Sequence, residues 1–133
     1  MKDCIFCKIV KKEISSENII YEDDKILAFL DINPVNHGHT LVIPKEHYEM
    51  MGETPDELVS YIFVKAKKLM KTIKKAMGAD FVVAAVVGVD VPHFHVHLIP
   101  RYFDDGLNNF WPTKKYKEGE DKKIVEKIRS FLK

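Results

Sequence analysis

The sequence predicts an α+β fold, and three observations carry that reading. Five short runs rich in β-branched and aromatic residues read as strands, and one long stretch between Thr54 and Gly78 repeats its apolar residues at helical intervals. The helix-like and antiparallel-looking strand segments are also segregated along the chain, whereas a parallel sheet would alternate them. At 133 residues the chain has room for one sizeable core and is short for two. A single domain spanning 1–133 is therefore expected.

The elements follow in order. A helical turn is expected around Cys4 to Lys11. Ile19 to Glu22 and Ile26 to Leu30 form a hairpin through the turn signal Asp23-Asp24-Lys25. In the second strand Leu27 and Phe29 share one face and Ile26, Ala28 and Leu30 the other. Both faces are apolar, so this part of the sheet is expected to be covered on both sides. Asp31 closes that strand, Asn33 to Gly38 is loop-like, and His39 to Ile43 is a third strand ended by Pro44.

Thr54-Pro55-Asp56-Glu57 has the form of a helix start, with Thr54 as N-cap, Pro55 at the first helical position and Glu57 completing a capping box. Behind it Leu58, Ile62, Ala66, Leu69, Ile73 and Ala76 make an apolar stripe, while Lys65, Lys67, Lys68, Lys71, Lys74 and Lys75 are assigned to solvent. The helix should end near Gly78. Phe81 to Val87 and His93 to Arg101 are expected as neighbouring central strands around the loop Gly88 to Pro92. A turn-rich tail from Asp104 to Gly119, with the only tryptophan, Trp111, leads to a terminal helix over Asp121 to Leu132 paced by Ile124, Ile128 and Leu132.

Lysine and arginine total 21 against 20 aspartate and glutamate, a net charge of +1 that shows no commitment to a nucleic acid polymer or to a membrane surface. No apolar run reaches membrane-spanning length, and the opening MKDCIFCKIV has no signal-peptide pattern, so a cytoplasmic location is expected.

The chemistry concentrates in His93-Phe94-His95-Val96-His97. In an extended strand the three imidazoles share one face, with Phe94, Val96 and Leu98 on the other. Near neutral pH imidazole serves as nucleophile, proton donor, proton acceptor or metal ligand. One reading makes His95 and His97 ligands of a catalytic metal. The other makes the middle residue, His95, a nucleophile on phosphorus, oriented by a flanking histidine or a backbone carbonyl, with a covalent intermediate that water resolves. Cys4 and Cys7, two residues apart, can give two thiolates to a tetrahedral zinc, with His93 and His47 completing the set and His37 and His39 competing for the same role. A redox dithiol and two unconnected buried cysteines are the alternatives.

Taken together, His93-Phe94-His95-Val96-His97-Leu98-Ile99, Cys4-Ile5-Phe6-Cys7-Lys8-Ile9, Leu27 to Pro34 and Gly38 to His47 resemble the zinc-containing branch of the histidine triad (HIT) superfamily in order and spacing. The resemblance covers residues 4 to 102 and leaves 103–133 as a variable tail and helix. It implies a HIT-like α+β fold, with a five-stranded antiparallel sheet, one long helix and short terminal helices, and a homodimer joined through the long helix and a strand. It also implies a purine nucleotide substrate. His95 would attack the α-phosphate of a nucleoside phosphoramidate or dinucleoside polyphosphate, His97 would contact phosphate and handle protons, and the His93 carbonyl would fix the tautomer of His95. One structural zinc per chain would sit on Cys4, Cys7, His47 and His93. Asp31 matches the carboxylate that binds the ribose hydroxyls, and Ile5, Phe6, Leu30 and Ile32 match positions near the base.

The loop before the triad departs from the pattern. Gly88 fits a close-approach glycine, but Val89 stands where many relatives have glutamine and Asp90 where they have a hydroxyl residue. An acid there repels phosphate unless it is protonated, turned away or paired, while the backbone N–H groups of Val89 and Val91 remain able to bind it. Besides the enzyme reading, the altered loop permits a nucleotide-binding regulatory or scaffold protein with little turnover.

Overall fold

The computed structural model describes residues 3–14, 17–107 and 112–132, so Trp111 lies outside the described residues. Its elements are α1 (Ile5–Val10), β1 (Ile19–Glu22), β2 (Ile26–Leu30), β3 (Thr40–Pro44), α2 (Asp56–Met77), β4 (Phe81–Ala85), β5 (Val96–Arg101) and α3 (Glu120–Phe131). The five strands form one antiparallel sheet in the order β1-β2-β3-β5-β4. The α+β fold read from the sequence is present. β4 and β5 are neighbours, but β4 is an edge strand and not a central one.

Alternation along the strands builds a core on each face. Ile26, Ala28, Val42, Phe94, Val96 and Leu98 pack with Ile62, Ala66 and Ile73 of α2. Burying a side chain such as Ile62 or Leu98 is worth roughly 1.5–3 kcal/mol. On the other face Leu27, Phe29, Leu41 and Ile43 pack with Cys4, Phe6 and Cys7 at the N-terminal turn. Leu41 pairs with His97 in register, which puts His97 on this second face.

The β1–β2 turn is closed by Asp23, whose Oδ1 accepts the backbone N–H groups of Lys25 and Ile26 at 2.8 and 2.9 Å. Gly78 ends α2 in the left-handed conformation, φ 60°, as expected.

Four expectations are corrected. Thr54 does not cap α2: its hydroxyl donates to the Met50 carbonyl in the 3-10 turn Met51–Glu53, and Pro55 takes the N-cap place with no side-chain capping bond. Ala76 is exposed, and the neighbouring Met77 makes the approach to Gly38 instead. Lys65 folds back onto α2's neighbours, its ammonium 5.5 Å from the ring centres of Tyr21 and Tyr61 and 4.0 Å from Asp23. The last two strands are shorter than predicted: β4 stops at Ala85, whose partner is His97, and β5 starts only at Val96. Upstream of Val96 the backbone bonds elsewhere, His93 N–H to Val91 O at 2.8 Å and Phe94 N–H to Tyr48 O at 2.6 Å.

Candidate functional site

His93, at the start of the histidine row, turns toward the N-terminal α1. Its Nε2–H donates to the Pro44 carbonyl at 2.8 Å, which leaves Nδ1 with its lone pair. That Nδ1 lies 3.4 Å from Cys4 Sγ, 3.6 Å from Cys7 Sγ and 3.2 Å from His47 Nδ1, and Cys7 Sγ lies 3.2 Å from His47 Nδ1. Around one tetrahedral ion of zinc's size, the S···N and N···N edges come to roughly 3.6 and 3.4 Å. The four side chains therefore have the spacing of a closed metal site, and the cluster is able to bind a metal.

The ionisation of the cluster agrees with that geometry. Burial pushes the His93 imidazole down to about 4, so it is the neutral ligand form. Burial, followed by the Cys4 thiol, pushes the Cys7 thiol up to about 11 in the absence of a cation. A reactive redox dithiol needs the opposite shift. His37, one of the competing ligands, is exposed, and His39 is engaged elsewhere.

His95 and His97 are each set in one tautomer. His95 Nδ1–H donates to the His93 carbonyl at 2.7 Å, so Nε2 carries the lone pair. For His97 the order begins at Val35, whose backbone N–H donates to His39 Nδ1 at 3.1 Å. His39 therefore holds its proton on Nε2, which lies 3.0 Å from His97 Nδ1. His97 Nδ1 accepts, and its Nε2 must bear the hydrogen. Burial lowers the pKa of both His39 and His97, with Asp31 opposing the shift at His39, so both are the neutral imidazoles that this order requires.

Among the described residues, His95 Nε2 and His97 Nε2 are the two buried side-chain polar atoms without a hydrogen-bond partner. One is a lone pair and the other an N–H, side by side on rings 4.9 Å apart. Such a pair suits attack on an electrophile together with donation to it.

Asp31, His39 and His97 also lie within metal-binding reach of one another. The Val35 amide argues against an ion there, because a metal needs the lone pair that His39 Nε2 does not have. His95 is outside that group.

A cavity of about 510 Å³ opens beside the row. Ile5, Phe6, Leu30 and Ile32 line it together with Asp31, Asp90 and Val91. Phe6 presents a T-shaped ring contact to His95, centroids 5.2 Å apart, and so joins the cavity to the histidines. Asp31 Oδ1 accepts the Asn33 N–H, and Oδ2 lies 3.6 Å from His39 Nε2. Gly88, φ 77°, and Val89, 86% exposed, lie outside the cavity lining. Asp90 Oδ1 stands 3.6 Å from His95 Nε2. Sequence reasoning missed the tie between His39 and His97; strand pairing creates it, and the only sequence signal was a histidine two residues before Leu41.

A family model described as HIT domain matches residues 11–104. An uncharacterized HIT-like protein of Methanocaldococcus jannaschii is 46% identical over 107 residues, 77% of this chain and 82% of its own. An adenosine 5'-monophosphoramidase of Schizosaccharomyces pombe is 38% identical over 98% of both chains. An adenylylsulfatase of Arabidopsis thaliana is 42% identical over 79% of this chain and 55% of that protein. Among solved structures, a HIT family member from Bacillus subtilis superposes with a TM-score of 0.85 at 38% identity over 98% of both chains. A zinc-bound histidine triad family protein from Mycobacterium smegmatis does so with 0.76 at 30% identity over 97% of both.

Proposed function

The chain belongs to the HIT family, and from that membership and the tautomers of its histidines we propose a nucleotide hydrolase or nucleotidyl transferase that works through a nucleotidylated His95. The observation that carries the proposal is the adjacent pair of buried, unpartnered Nε2 atoms, one a lone pair on His95 and one an N–H on His97. The named activities of relatives, an adenosine 5'-monophosphoramidase and an adenylylsulfatase, are both reactions at a nucleotide α-phosphate and support the same class.

In the first half-reaction His95 Nε2 forms a bond to the α-phosphorus. The bond from phosphorus to the leaving group breaks, its electron pair goes to the leaving atom, which takes a proton from solvent where it needs one, and the His97 Nε2–H donates a hydrogen bond to the departing group or to a phosphoryl oxygen. Water oxygen then bonds to phosphorus, the phosphorus–His95 bond breaks with its electron pair returning to Nε2, and the water proton goes to solvent. A nucleoside monophosphate and the two original imidazoles remain. Asp31 accepts hydrogen bonds from the ribose hydroxyls, a purine packs against Ile5, Phe6, Leu30 and Ile32, and the Val89 and Val91 N–H groups approach the phosphates with Gly88 easing the turn.

Cys4, Cys7, His47 and His93 would hold one zinc. With four protein ligands such a site has no open position for water, so its contribution is to tie α1 to the segment that carries His95. The zinc-bound relative supports this ion. A homodimer joined through the long helix and a strand accords with two features, the position of β4 at the edge of the sheet among the described residues and the exposed Val64 of α2. We place the protein in the cytoplasm, a reducing compartment in which Cys4 and Cys7 would stay available to a metal. Among the described residues no helix is long and apolar enough to cross a membrane.

Turnover of a fluorogenic adenosine phosphoramidate by wild type, His95→Ala and His95→Gly tests the proposal. Both variants should lose at least ~10³-fold in kcat; equal turnover in all three would refute it. Asp90 beside the nucleophile favours a second reading, a nucleotide-binding regulator, which predicts tight nucleotide binding with no turnover in the wild type.

A further inference from the structure

The cavity beside the histidine row carries the wrong sign of charge for a polyanion. Glu17, Asp31 and Asp90 line it, and no described lysine or arginine does. Phosphate sites ordinarily answer the ligand's charge with arginine, lysine, a metal or a helix N-terminus. Here the charge facing the reacting nitrogens is a carboxylate. Asp90 Oδ1 is 3.6 Å from His95 Nε2, and its field also reaches His97. The side chain is 63% exposed, so it is free to swing aside as a ligand enters, yet its tether keeps it within a Debye length of the α-phosphate.

We infer that Asp90 is the specificity-determining residue for substrate charge, admitting nucleoside phosphoramidates and disfavouring nucleotides whose leaving group is an anion. This rests on the nucleotide reading above. With a phosphoramidate, His95 Nε2 forms its bond to phosphorus and the electron pair of the breaking P–N bond goes to the leaving nitrogen. That nitrogen takes a proton from solvent and departs as an amine, and the Asp90 carboxylate accepts one of its N–H groups. With a sulfate or a further phosphate the departing oxygen carries its negative charge out past that same carboxylate. Like charges in proximity discriminate against the wrong partner.

The test uses two substrates with the same adenosine α-phosphate, a primary-amine phosphoramidate and adenosine 5'-phosphosulfate, with no divalent cation added. kcat/KM is measured for wild type, Asp90→Asn and Asp90→Ser, and calorimetry gives Kd for AMP and ADP, ADP carrying an anion on the leaving-group side. Both variants should shift the phosphosulfate-to-phosphoramidate ratio about tenfold toward the phosphosulfate, the weight of one screened unit charge, and shift the ADP-to-AMP affinity ratio the same way. Ratios that stay put in both variants, or move the other way, overturn the role of Asp90. If the wild type turns over neither substrate, the enzyme reading fails and the affinity ratio alone decides for or against Asp90. Absence of nucleotide binding overturns both.

Discussion

His39 Nε2 stands 3.0 Å from His97 Nδ1, and the Val35 N–H at 3.1 Å from His39 Nδ1 decides which of the two nitrogens donates. A backbone amide thus sets the protonation of an imidazole two hydrogen bonds away. His39 is a positioning residue under this account. His39→Leu leaves the His97 tautomer unconstrained and should lower kcat roughly 10²-fold with a smaller change in KM. His39→Gln, which offers an N–H in place of Nε2 and a carbonyl in place of Nδ1, should recover part of the loss. Steady-state kinetics on both variants checks this, and equal loss in both would point to packing alone.

The four-ligand cluster makes a compositional prediction. Wild type should carry one zinc per chain, and Cys4→Ser or His47→Ala should abolish that stoichiometry and lower the melting temperature. Brief chelation that leaves the site loaded should leave turnover intact, since no step passes through the metal. Elemental analysis alongside activity measures both, and unchanged metal content in the two variants would refute the ligand set.

Acid should destabilise the fold. Burial holds His93 at about 4, and His39 and His97 below the ordinary histidine value, whereas each titrates near 6.5 when unfolded. Between those values the unfolded chain binds more protons than the folded one, so stability is complete above about pH 6.5 and is lost as pH falls toward 4. In the metal-free protein the loss from His93 alone is roughly 3 kcal/mol by that arithmetic, and with metal bound the competition of protons for the ligands has the same sign. Urea unfolding at pH 7.5, 6 and 5 should show a falling midpoint, and a flat profile would contradict the burial of neutral imidazoles.

Gly38, beside His39, has φ 96°, and a Cβ there would lie 2.8 Å from Met77 Cγ and 3.4 Å from Pro100 Cγ. Backbone strain and the contact with α2 together should make Gly38→Ala cost roughly 1–3 kcal/mol. Gly52→Ala is the control: a Cβ there meets nothing within 4 Å, and the change should stay within about 0.5 kcal/mol of wild type. Denaturant titration of the two variants separates them.

Local signals in the sequence were enough for the elements, because their patterns repeat. The stripe through Ile62, Ala66 and Ile73 and the two-sided apolar pattern of Ile26 to Phe29 both appear in the packing. Asp90 was legible as an acid out of place. What the chain did not disclose depends on partners distant in sequence. The alternation of His93, His95 and His97 suggested one continuous strand, but Tyr48 takes the Phe94 N–H and only His97 lies within β5. His93 then turns to the cysteines while His95 and His97 stay together. Thr54 resembled a cap until the 3-10 turn supplied it with the Met50 carbonyl. No spacing rule foretells that Val35 orders His39 and His39 orders His97.

The central claim is that His95 Nε2 becomes covalently nucleotidylated, and intact-mass spectrometry of the protein mixed with an adenosine phosphoramidate tests it most directly. The quench should be denaturing and alkaline, since a phosphorus–imidazole bond is labile to acid. Wild type should gain the mass of one adenylyl group, located on the peptide containing His95 and absent from His95→Ala. Steady turnover with no adduct at any time, together with full activity in His95→Ala, would contradict the account.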